Sequence, residues 1–223
     1  VFYTNNNNTQ IDLNIYLSMN IIVMKFGGTS VAGIEKLKNI VKIVFQEVKK
    51  YKVIVVLSAM AGETNKLQGY LDQFESQNSV ESDLVLTSGE QITIGLLSAA
   101  LKKQGIKSIP LLGWQIPIIT DDNHEKAKIL QIDSNRINKY FENNDVIVLA
   151  GFQGINLHGN ITSLGRGGSD TTAVAIASSI NAERCDIYTD VDGVYTTDPN
   201  IDQNAKKISK MSYEEMLEMA STG

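Results

Sequence analysis

Apolar residues fall along this chain in two alternating rhythms. Runs at 21–26, 53–57 and 146–150 are short and continuous, with the length of strands buried on both faces. Between them, apolar positions recur every three or four residues. Ile34, Leu37, Ile40, Val41, Val44, Phe45 and Val48 form one helical face, with Lys36, Lys38, Lys42, Lys49 and Lys50 off the stripe. The pattern predicts further helices over 84–103, 134–142, 171–180 and 212–220. The first of these has Thr87 or Ser88 as N-cap and Gly105 as its stop, and the last opens on a capping box, Ser212 to Glu215. Segments 108–112 and 116–120 read as extended pieces around a Gly113-Trp114 turn, and 186–189 as a further strand. This alternation predicts an α/β domain, a parallel sheet covered by helices. The most polar loop, 156–163, is the expected boundary between two lobes.

Composition narrows the class. With 223 residues, the chain can bury a core that needs no disulfide or metal staple. A net charge of −5 without any basic block argues against a nucleic-acid partner. The single cysteine fits a reducing compartment, and two distant histidines, His124 and His158, do not make a metal site. The most apolar runs are strand-sized, so no membrane span is expected. Residues 1–20 lack a cationic segment ahead of an apolar one and read as an upstream extension, with Met19 or Met24 as the start.

Three glycine-rich turns carry the candidate chemistry. Lys25-Phe26-Gly27-Gly28-Thr29-Ser30 joins strand to helix, and its amides and lysine suit an anion; an ordinary tight turn is the other reading. Gly165-Arg166-Gly167-Gly168-Ser169-Asp170 opens a helix. Asp170 stands at the sixth position and no clear strand precedes it, so it is not a dinucleotide fingerprint. Asp170 or Ser169 reads as the helix N-cap, which leaves Arg166 among three glycines to grip a carboxylate or phosphate. The third turn, residues 188–199, fails as a calcium loop because Pro199 occupies the twelfth position. It leaves the end of a strand, a usual ligand-binding place in open α/β sheets. There Tyr195 offers either an aromatic face for a base or plain packing. Ser58 to Thr64 follow the second strand, and Glu90 sits in the first turn of an apolar helix. Such a glutamate either compensates the helix dipole or, paired with Arg166, grips the ammonium end of a zwitterion.

No nucleophile–histidine pair is evident, which favours phosphoryl transfer, a reaction of positioning and charge neutralisation. A carboxylate acceptor, ionised at neutral pH, would need no general base.

Lys25-Phe26-Gly27-Gly28-Thr29-Ser30, Ser58-Ala59-Met60-Ala61-Gly62, Thr87-Ser88-Gly89-Glu90, Gly151-Phe152-Gln153-Gly154, the Leu164–Asp170 turn and the segment from Tyr188 to Pro199 stand in order. Together they resemble the aspartate kinase family, from about residue 21 to the end. The resemblance implies the amino-acid kinase fold, a three-layer α/β/α sandwich around a mainly parallel sheet. It would divide at about residue 160 into an acceptor and phosphate lobe (21–160) and a partial nucleotide lobe (161–223). It implies ATP-dependent phosphorylation of the side-chain carboxylate of L-aspartate to 4-phospho-L-aspartate, on the route to lysine, diaminopimelate, threonine and methionine, in the cytoplasm.

By the same resemblance, Lys25, Gly27, Gly28 and Asp170 serve catalysis, with Asp170 orienting lysine and substrate. Arg166 holds the α-carboxylate and Glu90 the ammonium group, with Ser58, Thr64 and Ser169 lining the acceptor site. ATP is held by Lys25, Phe26, Gly27, Gly28, Thr189, Asp190, Tyr195, Thr196, Thr197, Asp198, Pro199 and Asn200. Magnesium (Mg2+) rides mainly on the phosphates, and no protein metal ligand is named. The partners implied are L-aspartate and Mg-ATP, with no nucleic acid and no membrane and with homo-oligomerisation left open.

The chain departs from the family pattern at Asn200, where relatives carry a basic residue, and at Ile116-Pro117, where they carry a small pair. Relatives also continue past Gly223 with a Gly-Ala-Lys segment and regulatory ACT domains. That reads as a C-terminal truncation. Two alternatives stand beside this reading. One is a sibling kinase acting on glutamate, N-acetylglutamate or UMP; the other is a non-catalytic relic that binds an amino acid or nucleotide.

Overall fold

The structure, a computed structural model, describes residues 20–189 and, beyond them, 196, 197, 202, 204–208, 211, 212 and 215. The described chain runs β1 (Ile21–Phe26), α1 (Ile34–Glu47), β2 (Lys52–Leu57), α2 (Glu63–Leu71), α3 (Val80–Leu86), α4 (Ser88–Lys103) and β3 (Ser108–Leu111). It continues through β4 (Ile118–Thr120), β5 (Ile129–Ile132), α5 (Ser134–Phe141), β6 (Val146–Ala150), β7 (Gln153–Ile155), β8 (Ile161–Ser163), α6 (Gly168–Ser179) and β9 (Arg184–Tyr188).

Five strands form a parallel sheet in the order β3-β6-β2-β1-β9. Its central strands are buried on both faces, which is why they read as continuous apolar runs rather than alternating ones. The alternation of side chains divides the core. Ile22, Met24 and Phe26 pack toward Leu37, Ile40 and Val44 of α1 and Leu97 and Leu101 of α4. Val23, Ile54 and Val56 pack toward Ile137 of α5 and Ala173 and Ile176 of α6. Helices on both faces make a three-layer sandwich, the architecture expected. A smaller mixed sheet, β5-β4-β7-β8, lies beside it.

Several expectations are corrected. Within the first helix, Ile34 and Phe45 are exposed, and the buried stripe is Leu37, Ile40, Val41 and Val44. The helix expected over 84–103 begins earlier and is two helices. Ser79 caps α3 through a reciprocal pair with Ser82, and Thr87 stands at the expected N-cap position of α4 but turns its hydroxyl back onto the Asp83 carbonyl. Together, Val80–Lys103 has the length and mean hydropathy (1.4) of a membrane span, contrary to the strand-sized estimate. Half of that window is buried within the domain, as befits a core helix.

Not all of the polar segment 156–163 is loop: Ile161–Ser163 form β8, and Ile161 pairs with Ile155 in a hairpin. Asn20, assigned to the extension, belongs to the fold, since its carbonyl accepts the Lys52 amide. Ile116 is fully buried in the second core cluster, where its bulk is used for packing. The Ser212–Glu215 capping box is present in both directions, whereas most of helix 212–220 and residues 1–19 lie outside the described residues.

Candidate active site

β1, β2 and β6 all end at one edge of the sheet, where a parallel sheet presents its loops to ligands. The turns after these strands and the N-terminus of α6 enclose a cavity of about 410 Å³. Lys25, Gly28, Ser58, Thr64, Glu90, Arg166, Ser169 and Asp170, separated by up to 145 positions in the chain, all line it.

Close packing at glycines brings these elements together. A Cβ on Gly89 would lie 2.7 Å from the Ala59 Cβ, so only glycine lets the start of α4 reach the loop after β2. A Cβ on Gly151 would meet Ser169 at 2.8 Å. Gly167, at φ 71°, caps α6 in the left-handed conformation, so Ser169 and Asp170 stand inside the first turn and neither is the N-cap. A strand does precede this turn. It is β8, antiparallel to β7, so the segment still lacks the strand–turn–helix unit of a dinucleotide site.

Charge is concentrated at two points. Lys25 is buried at the end of β1, with its Nζ 2.6 Å from Oδ1 of Asp170. That oxygen lacks a well-angled hydrogen bond, so charge attraction dominates the contact. Glu90 is only 3% exposed. Its Oε1 accepts the Ala59 amide at 2.9 Å, and its Oε2 has no hydrogen-bond partner among the described residues. Burial pushes this carboxyl up to about 7, against the pull of the Ala59 amide. Arg166 is exposed on the cavity and makes no ion pair or hydrogen bond among the described residues.

Phe26 is not in the cavity. Its ring is buried in the first core cluster, stacked on Tyr188 with centroids 4.4 Å apart, so only its backbone remains for a nucleotide. Thr189, Thr196 and Thr197 are exposed, and Thr196 exchanges hydrogen bonds with Lys206. Asp190, Tyr195, Asp198, Pro199 and Asn200 lie outside the described residues. Among the described residues no cluster of three or more His, Cys, Asp or Glu side chains could hold a metal ion.

Two features escaped the sequence reading. Asn65 lines the cavity from α2, a helix with only one buried residue and so little periodic signal. Phe152 also lines it, held at φ 67°, a conformation that costs a non-glycine residue energy and is found at functional sites. The Gly151-Phe152-Gln153-Gly154 motif was its only sequence signal.

A parallel α/β/α sandwich thus brings glycine-rich turns, a lysine–aspartate pair and an arginine unpaired among the described residues to one sheet edge. The profile of the amino acid kinase family matches residues 20–223, and the chain belongs to that family. It is 50% identical over 210 residues to an aspartokinase of Rickettsia conorii, covering 92% of this chain and 52% of that protein. It is 49% identical over 211 residues to an aspartate kinase of Pseudomonas putida, covering 92% and 50%. The chain thus spans about half the length of the curated relatives it matches. Its fold matches Escherichia coli aspartokinase III in complex with aspartate and ADP with a TM-score of 0.73 at 26% identity, over 84% of this chain and 53% of that one.

Proposed function

We propose that this protein transfers the γ-phosphoryl group of ATP to the side-chain carboxylate of L-aspartate, giving 4-phospho-L-aspartate and ADP. One observation carries the reading: Glu90, a buried carboxylate with one oxygen lacking a partner among the described residues, and Arg166, a guanidinium unpaired among them, share a cavity with the Lys25–Asp170 pair. The first two suit the ammonium and α-carboxylate ends of an amino acid, with bidentate geometry at the arginine. Sequence identity near 50% to aspartate kinases supports aspartate over other acceptors.

In this reading Lys25 and the Gly28 amide offset the charge of the transferring group, the main protein contribution to phosphoryl transfer, while the Gly27 amide donates to the Tyr188 carbonyl at 3.3 Å and holds the turn against β9. Asp170 holds Lys25 in place. Ser58, Thr64 and Ser169 orient the acceptor, whose carboxylate attacks without a base. Thr189, Thr196 and the segment around them hold the nucleotide. Magnesium, bound to the phosphates, would supply charge neutralisation there. Asp170, paired with Lys25, is the carboxylate that would face the phosphates there. We place the reaction in the cytoplasm, on the route to lysine, threonine and methionine.

The test is an acyl-phosphate trap with Mg-ATP, L-aspartate and hydroxylamine, run on this chain and on a form extended to the relatives' length. Aspartyl hydroxamate that disappears in Lys25→Ala is expected. Product with L-glutamate instead, or ADP release with UMP alone, would reassign the acceptor. Silence in both forms would overturn the reading.

A further inference from the structure

Outside the cavity, the described residues contain a buried carboxylate that the chemistry does not use. Asp83 on α3 is completely buried. Its Oδ2 lies 2.6 Å from Nδ1 of His124. Its Oδ1 accepts the Ser163 hydroxyl at 2.5 Å and the Glu125 amide at 3.0 Å. A carboxylate taken out of water is tolerated only with such a set of donors, and removing one leaves charge unmatched.

Two of these partners, Ser163 and Glu125, flank the approach to Arg166. Ser163 ends β8, three positions before the arginine, and its carbonyl accepts the Ala127 amide at 2.9 Å. Glu125 sits at φ 64°, and its carbonyl lies 3.0 Å from where a Cβ on Gly165 would be. The Asp83 carbonyl in turn accepts the amide and hydroxyl of Thr87, at the junction that leads into α4 and Glu90. Asp83 therefore ties the segments flanking the Arg166 turn, through its side chain, to the α3–α4 junction ahead of Glu90, through its carbonyl. Neither Asp83 nor His124 lines the cavity.

We infer that Asp83, held by His124, is a positioning residue that fixes the Arg166 turn relative to Glu90, and so sets the distance between the two groups that grip the amino-acid acceptor. Its kinetic consequence rests on the proposed function; the mechanical link itself does not. The latch acts on acceptor binding and leaves the nucleotide side alone, because among the described residues its partners come from β8 and the loop before β5, away from β1 and β9.

Three variants test it: His124→Leu, which removes the donor; His124→Asn, whose side-chain amide can replace Nδ1; and Ser163→Ala. In the intact enzyme, His124→Leu and Ser163→Ala should raise the KM for the amino acid about tenfold and change the KM for ATP less than about twofold, with His124→Asn near wild type. Hydrogen exchange should report faster opening of the 164–170 amides in His124→Leu and not in His124→Asn. A lowered melting temperature with unchanged KM values and unchanged 164–170 exchange would overturn the latch, as would equal rises in both KM values. If wild type turns over no amino acid, the proposed function fails and the exchange comparison alone decides the latch.

Discussion

The Lys25 ammonium, at the end of the second-innermost strand, meets the Asp170 carboxylate in the first turn of α6 at 2.6 Å, across 145 residues of chain. The lysine side chain is 9% exposed and the aspartate side chain 32%. Breaking a fully buried pair costs ~3–5 kcal/mol, and the wetter aspartate lowers that figure here. Lys25→Met is therefore expected to destabilise the domain by about 1–3 kcal/mol and to lower kcat by about a hundredfold or more. Lys25→Met with Asp170→Asn should recover stability without recovering activity. Urea unfolding and the hydroxamate assay measure the two halves of this prediction.

Glu90 couples stability to pH in a definite direction. Its carboxyl is raised from the ordinary 4.5 to about 7 by burial, so the folded state holds its proton more tightly than the unfolded one. Stability from this group is full below pH ~4.5, is lost as pH rises to about 7, and is absent above. The loss is worth ~3 kcal/mol. Glu90→Gln should therefore raise the melting temperature at pH 8 and leave it unchanged near pH 4.5. It should also abolish acceptor binding, since an ammonium needs the ionised form. In wild type, affinity for aspartate is expected to fall about tenfold per pH unit below about 7, measured by calorimetry.

Two glycines on α4 behave oppositely. At Gly89 an added methyl would stand 2.7 Å from the Ala59 Cβ, so Gly89→Ala overpacks the helix against the cavity loop and is expected to cost about 1–3 kcal/mol and most activity. At Gly95, on the exposed side of the same helix, nothing lies within 4 Å. Gly95→Ala should stabilise by about 0.5–1 kcal/mol through backbone entropy, with activity intact. Thermal melts paired with turnover rates separate the two.

Cys185 on β9 has its thiol pushed up to about 12, chiefly by burial and further by Asp186 and Asp170. The thiolate is the nucleophile, so a disulfide reagent should label it slowly in the native protein at pH 8 and rapidly in denaturant. Fast native labelling would show that β9 opens readily to solvent.

Wherever neighbours in sequence decide a property, the chain alone disclosed it. Continuous apolar runs marked β1, β2 and β6 because both faces of those strands are covered. The three-four spacing marked α1, and the glycine-rich turns marked the sheet edge where loops converge. Short strands such as β5 and β8 left no pattern, since three or four residues are too few to show a periodicity, and α2 hid for lack of a buried stripe. The burial of Phe26 against Tyr188, the orphaned oxygen of Glu90 and the latch of Asp83 onto His124 and Ser163 were beyond sequence. Each depends on contacts between residues tens to more than a hundred positions apart. The sequence by itself determined the layers and the inventory of charged groups. Tertiary structure alone decided which charges are desolvated and which of them face one another, because burial and distance are properties of packing.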